Sequence, residues 1–537
     1  MKRWAAPFLL LALAIVLAAF ALHTPSPRPA DARPADFSAT RALADVRAIA
    51  QQPHPMGSPA QARAQAYLLS RMASLGLEPQ ARPFVSGKGP GRNLLGVLPG
   101  RDRAAPALLL MAHADSVPAG PGAADDGAGV AAVLETVRAL SLRPRQRDVM
   151  VLLTDGEELG TLGAHAFFSS DPAQTRVGMT INLEARGDRG RAVMFETHPD
   201  AAPLVALLAQ AGALSGASSL MPDLYRRLPN GTDLTEAIAS GHQGLNFAFF
   251  SGFDAYHSPL DTAARLDPGT LQDIGDKVLK VATALADAPA LPGRASDQPY
   301  ADVLGGLILR YPAWGGWALI VLAAGGVSLC ALKPLREGRI TLWSVAGGAG
   351  AFVVLLLLLG SALYGLGRLR IDLAAHHLAP LLRHDLAALA GAGLVSAGIS
   401  LAWAAIAARW LRTESLALGA VKIVGLGAVL MQAFAPLDAF ILGWPFLLVG
   451  LALAIGGPKR RWVSWTVLLA AAAQVVYWAR LYFDLIGQVT PAALTPFAAL
   501  AVAILLPVVP KPERRSGWAG LGIAAAGAAL SVLALTS

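Results

Sequence analysis

The chain has 537 residues, 54% hydrophobic and only 15% charged. A soluble domain carries roughly 25% charge, so a purely soluble protein is excluded. The apolar content also excludes a disordered chain, and the lone Cys330 excludes an intrachain disulfide scaffold.

The net charge of +8 does not sit on one nucleic-acid-binding face. Residues 31–300 carry 24 basic and 28 acidic side chains, whereas residues 301–537 carry 17 and 8. A mildly acidic body is joined to a basic, very apolar tail, and nucleic acid is not an expected partner.

In chain order, Lys2 and Arg3 precede an apolar run at Ala5–Leu22. Residues 1–23 are expected to be a signal anchor or a signal peptide, since Ala19-Phe20-Ala21 also fits a cleavage site. Residues 24–39, rich in Pro and Ala, suggest a linker. Residues 40–295 are long enough for one large exported domain. Within it, 105–113, 148–154, 177–184 and 245–250 are short apolar runs expected to be buried strands. Residues 127–140 are expected to form a helix, with Val130, Val133, Leu134, Val137 and Leu140 on its apolar face. Strands alternating with helices predict an α/β sheet covered on both faces.

From 301 to 537 eight further apolar stretches are expected, near 313–332, 341–366, 386–408, 416–435, 437–456, 462–480, 490–509 and 517–536. A span needs about 20 apolar residues. With residue 1 inside, the segments on that side hold 13 basic residues, including Lys333, Arg336, Arg339, Arg409, Arg412, Lys459, Arg460 and Arg461. The opposite connections hold four: Arg368, Arg370, Arg383 and Arg480. Retention of basic residues on the cytoplasmic side therefore predicts nine spans with the body outside. Lys422 falls inside the fifth, where it is expected to point into the bundle or snorkel outward. His376, His377 and His384 share one outside loop, expected to be solvated.

The polar residues at the ends of the body's strands carry the chemistry. His113 and Asp115 follow the first strand. Asp125 and Asp126 precede the helix, Glu157 and Glu158 follow the second strand, Glu184 closes the third, and His257 comes soon after the fourth. In an open α/β sheet these positions converge beyond the carboxyl ends of the strands. So many carboxylates cannot share a cleft without cations. Imidazole and carboxylate without thiolate suit zinc. Two metals need a bridging ligand, which a short carboxylate such as Asp125 can provide, and such a pair serves hydrolysis.

The stretches HADSVPAGPGAADDGAGVAAVLE (113–135), TDGEELGTLGAHAFF (154–168), INLEARG (181–187) and AYHSPLDT (255–262) resemble the di-zinc aminopeptidase and carboxypeptidase family. They are most similar to its membrane-embedded branch, the endoplasmic reticulum metallopeptidase and vacuolar membrane protease type, which also has one span before the catalytic domain and eight after it. The resemblance implies a zinc-exopeptidase-like mixed α/β sheet flanked by helices, followed by an α-helical multi-pass membrane domain. It implies two Zn2+ per chain, one held by His113, Asp125 and Glu184 and the other by Asp125, Glu158 and His257. Asp115 would orient His113, Glu157 would be the general base that protonates the leaving amine, and Tyr256 would stabilise the oxyanion. Many soluble members have Asp where Glu184 stands, which bears on amino-terminal specificity. Arg186 and Asp233 are expected either to pair with each other or to shape the substrate pocket. His54, His165, His198 and His242 match no ligand position.

The implied function is a membrane-bound zinc exopeptidase of the aminopeptidase type, with peptides or proteins as substrates and the lipid bilayer as partner. Two other readings stay open: single-zinc acyl transfer as in glutaminyl cyclases, and a transporter or receptor whose exported domain binds peptides without cleaving them. Heavy use of Ala, Gly, Leu and Arg suggests a bacterial inner membrane with the body periplasmic. An ER or vacuolar membrane is the alternative.

Overall fold

A computed structural model describes residues 5–228, 230–373, 385–455, 460–487, 490–511, 513–533 and 535. His376, His377, His384, Arg383 and Lys459 lie outside the described residues. The chain divides into two compact units, one formed by His23–Asp297 and the other by Met1–Leu22 with Gln298–Ser537.

The first unit is built on a mixed seven-stranded sheet. Its strands are β1 (Gln80–Ser86), β2 (Gly89–Leu98), β3 (Ala107–His113), β4 (Val149–Thr154), β5 (Val177–Ala185), β6 (Val193–Thr197) and β7 (Gly244–Phe249). They lie in the order β1-β2-β4-β3-β5-β7-β6. The four strands expected from the sequence are the central ones, β4, β3, β5 and β7, and they run parallel. Every residue of β3 and β4 is buried, as continuous apolar runs in a doubly covered sheet require. Leu109, Met111, Leu152, Phe167 and Phe168 pack in one cluster with Leu234. Alternate residues point to the opposite face, where helix Gly127–Ser141 lies against β3.

β1, β2 and β6 were not anticipated. They are antiparallel additions at the two edges. In β1 (QARPFVS) no residue is fully buried, so its sequence lacks the apolar run that marks the centre. Residues 24–39 also have a defined place. The Arg28 amide donates to Gln272 Oε1 at 2.8 Å, and the Ser38 amide donates to Glu135 Oε1 at 3.2 Å. This stretch therefore lies along helices Gly127–Ser141 and Pro268–Asp287.

The second unit is helical. Among the described residues, six helices are long and apolar enough to cross a membrane: Gly315–Arg336, Leu342–Leu373, Asp385–Ala407, Thr413–Phe434, Arg461–Gly487 and Arg515–Leu533. Ala6–Leu22, Phe440–Ile455 and Pro491–Leu505 are apolar but shorter. Among the described residues, each of the nine expected stretches thus contains an apolar helix, and six of these reach spanning length. Lys422 is exposed on its helix rather than turned into the bundle. A short hairpin, β8 (Tyr300–Val303) with β9 (Leu307–Arg310), precedes the first long helix of this unit. Its Asp302 accepts from the Tyr477 hydroxyl, and Gln474 donates to the Asp302 carbonyl at 2.9 Å.

Candidate metal centre

β3 delivers His113 at its last residue, and the imidazole is almost fully buried, with its side chain 1% exposed. Its Nε2 lies 3.1 Å from Asp125 Oδ1 and 3.9 Å from Glu184 Oε2. The second oxygen of Asp125 faces His257, 3.3 Å from its Nε2. His257 in turn lies 2.9 Å from Glu158 Oε2. Asp125 therefore divides its carboxylate between two histidines, and each histidine meets a further carboxylate. His113, Asp125 and Glu158 alone already offer ligand atoms within 4.8 Å of one another.

The loops that carry these groups are set by backbone constraints. Of the two adjacent aspartates, Asp126 caps helix Gly127–Ser141 by accepting from the Gly129 amide at 3.0 Å, which leaves Asp125 to face the histidines. A Cβ at Gly129 would stand 2.2 Å from the Asp126 carboxylate, so only glycine admits this cap. After β4, Gly156 turns the chain at φ 77°, a conformation that side chains disfavour, and Glu157 and Glu158 follow in a single 3-10 turn. His257 itself sits at φ 54°.

Asp115 lies against His113 Nδ1, where it was expected, and has a second role besides. The nearest group to His113 Nδ1 is the Asp115 backbone carbonyl at 3.0 Å, with the carboxylate at 3.6 Å. The carboxylate instead accepts from the amides of Glu157, at 3.1 Å, and Glu158, at 3.4 Å. Asp115 thus orients the histidine through its main chain and the glutamate turn through its side chain.

Two further residues do comparable work and were not singled out from the sequence. Asp261 accepts from the amides of Ala124 (2.7 Å) and Asp125 (3.1 Å), tying the loop of His257 to that of Asp125. Asn182 donates to Glu184 Oε1 at 3.1 Å. Both lie in motifs quoted above, but their partners are backbone or neighbouring atoms that spacing does not reveal. The expected Arg186–Asp233 pair does not form. Asp233 accepts from the Thr154 hydroxyl, and Arg186 lies over the rings of Phe253 and Tyr256. His54, His165, His198 and His242 bond to Gln52, Glu236, Gly244 and Gln174 respectively, none of which belongs to the ligand set.

The electrostatics show an excess of acid. Burial pushes Glu157 up to about 8, helped by Asp233, Asp125 and Glu158 and opposed by His113. Glu158 and Glu184 are raised as well, by burial first and then by Asp125 and Glu157 respectively. Burial alone would lower both histidines, but their carboxylate neighbours overcome it, and His257 rises to about 10. Glu158 Oε1 is buried without a hydrogen-bond partner. Crowded carboxylates driven toward protonation, with an orphaned oxygen among them, fit a cation-binding set, and the N and O donors fit zinc.

Residues 93–282 match the model of Peptidase family M28. Those residues are similar to a family M28 peptidase domain. It is similar to endoplasmic reticulum metallopeptidase 1 of Mus musculus, 32% identical over 256 residues, which is 46% of this chain and 28% of that protein. It is likewise similar to the vacuolar membrane protease of Candida albicans, 32% identical over 238 residues, 42% of this chain and 28% of that protein. The chain thus spans little more than a quarter of these relatives' length. Among solved structures, a zinc aminopeptidase from Bacillus subtilis aligns over 49% of this chain and 99% of its own, with 15% identity and a TM-score of 0.41. The M28 match encloses every residue of the ligand set described above.

Proposed function

We propose that this protein is a membrane-bound zinc exopeptidase that removes amino-terminal residues from peptides, with two zinc ions per chain. The observation that carries the reading is the division of the Asp125 carboxylate between His113 and His257. His113, Asp125 and Glu184 would hold one ion, and Asp125, Glu158 and His257 the other. Bound zinc would supply an acidified water and positive charge opposite the developing oxyanion.

The chain's own residues account for the remaining steps. Glu157 stands in the same turn as Glu158 and lies within the field of His113. Added positive charge lowers its pKa from about 8 toward neutrality, so that it can take a proton and later return it to the leaving amine. Burial holds the Tyr256 hydroxyl well above its ordinary range, with Asp125 adding to the effect, so it stays protonated and can donate to the oxyanion. Its ring stacks on His257 with centroids 3.8 Å apart, which fixes its direction.

The purified full-length protein should contain two zinc ions and cleave leucine p-nitroanilide but not its N-acetyl analogue. Equal cleavage of both, or activity that survives complete chelation, overturns the assignment. One zinc per chain with cyclisation of N-terminal glutamine would favour the acyl-transfer reading instead. The split of basic residues supports an orientation with the body outside, which for a bacterial inner membrane is the periplasmic side. A phosphatase fused after residue 297 should be active in cells and one fused after residue 338 inactive; the reverse pattern refutes this orientation.

A further inference from the structure

The arginines near the carboxyl edge of the sheet are matched with acids, with one exception. Arg191 lies 3.1 Å from Asp273, and Arg265 reaches Asp188 at 2.7 Å and Asp254 at 3.1 Å. Arg189 approaches Asp188 and Asp254 at 3.8 and 3.9 Å. The Arg186 amide donates to the Phe249 carbonyl at 2.9 Å, and its guanidinium lies over aromatic rings, Phe253 at 5.0 Å and Tyr256 at 5.3 Å. Its Nε is buried without a hydrogen-bond partner, and among the described residues no carboxylate pairs with it. This lack of a partner stands in the most acidic part of the molecule.

Its position is close to the reaction centre. Arg186 follows Glu184 by two residues and keeps a bond to β7, so the strand's alternation turns both side chains the same way. The ring beneath it, Tyr256, stacks on His257. Tyr225, whose hydroxyl is buried and also lacks a partner, packs its ring edge-to-face with Phe195; burial, then Glu196 and Glu184, raise its pKa, and Arg186 opposes them. A cation and a hydroxyl donor, both partly desolvated and both unsatisfied, thus flank the ligand set.

An unpaired guanidinium held against aromatic faces is costly until an anion meets it, and its planar fork matches a carboxylate with two parallel hydrogen bonds. A substrate's free ammonium would be repelled by Arg186, so the amino end must lie away from it and the leaving portion toward it. We infer that Arg186, with the Tyr225 hydroxyl, binds a substrate carboxylate on the leaving side of the scissile bond. The preferred substrates are then dipeptides, or peptides with an acidic side chain directly after the cut. This inference rests on the exopeptidase reading above.

The test compares Leu-Ala, Leu-Ala-amide and Leu-Asp-amide with the purified full-length zinc-loaded protein. The wild type should favour both carboxylate-bearing substrates over Leu-Ala-amide by about tenfold or more in kcat/KM. Whichever of the two is better identifies the source of the carboxylate. Arg186→Gln should bring the ratio close to one, chiefly through KM, and Tyr225→Phe should lower it by about threefold. Should Arg186→Gln lose its zinc, Arg186→Lys provides the same readout, with a ratio reduced by about threefold because the fork is gone. A ratio unchanged in these variants overturns the inference. So does a wild type that cleaves all three substrates without preference, which leaves the peptidase reading intact. A wild type that cleaves none of them overturns both.

Discussion

The two units bury charge in opposite ways. In the helical unit, several buried acids each meet a donor. Arg480 lies 2.9 Å from both Asp385 and Asp484, Arg339 bonds to Glu337 and Glu414, and Asp302 is met by Tyr477 and Gln474. These contacts also sort the connections into two groups. Residues 302 and 385 both meet helix Arg461–Gly487, and residues 339 and 414 meet each other. In the sheet unit, acids accumulate along one edge with too few bases, and burial and mutual repulsion drive several of them upward. Matched charge holds a fold together, whereas surplus charge calls for something from outside. The position of ionisable residues inside the molecule is therefore less informative than whether their charge is balanced.

The contrast is tested most severely at Glu157. Glu157→Gln should lower kcat by about 10^3-fold while zinc content stays at the wild-type level; retained turnover would make the surplus charge structural. Next in size is Asp261→Asn, which loosens the loop of Asp125 without touching a ligand atom. Zinc retention against a competing chelator should weaken by about 10–100-fold, and an unaltered affinity would show that the two loops hold without it.

pH provides the third comparison. In the metal-free protein Glu157 titrates near 8, Asp261 near 7 and His257 near 10, all above their unfolded values. The folded state then holds protons that the unfolded chain has released. The stability linked to these groups is complete below their unfolded pKa values and is lost as pH rises through about 7 to 10. Asp125, lowered by its two histidines, opposes this but is outnumbered. Zinc binding needs deprotonated ligands, so the loaded protein should gain stability as pH rises from 5 to about 8. Melting curves of both forms should slope in opposite directions, and parallel slopes would contradict the surplus-charge account.

The smallest effect belongs to the helical unit. Tyr477→Phe removes one donor from Asp302 and should cost about 1 kcal/mol of that unit's stability. Zinc content and hydrolysis should be unchanged.

The central strands and the residues at their ends were legible because an apolar run stops abruptly at a charged residue, as at His113 and Glu184. Of the edge strands, β1 lacks such a run and owes its pairing to β2, whereas β6 is fully buried but only five residues long, too short to stand out. Asp125 and Asp126 looked alike, and only the three-dimensional cap on Gly129 separates a helix stop from a shared carboxylate. Asp261 was hidden for another reason: its partners are amides 136 and 137 positions away, a relation no local pattern encodes. For Arg186 the sequence suggested a pairing with Asp233, yet Thr154 already occupies that acid.

The strand order has a mechanical consequence. The proposed ligands leave the sheet from β3, β4, β5 and β7, four adjacent strands covering roughly 15 Å of its width at about 4.8 Å per step. Ions held by all four would act as a cross-brace, resisting any motion that splays the strands apart. Loss of metal should then loosen the middle of the sheet, where exchange of buried amides is otherwise slowest, while the β1–β2 edge is left as it was.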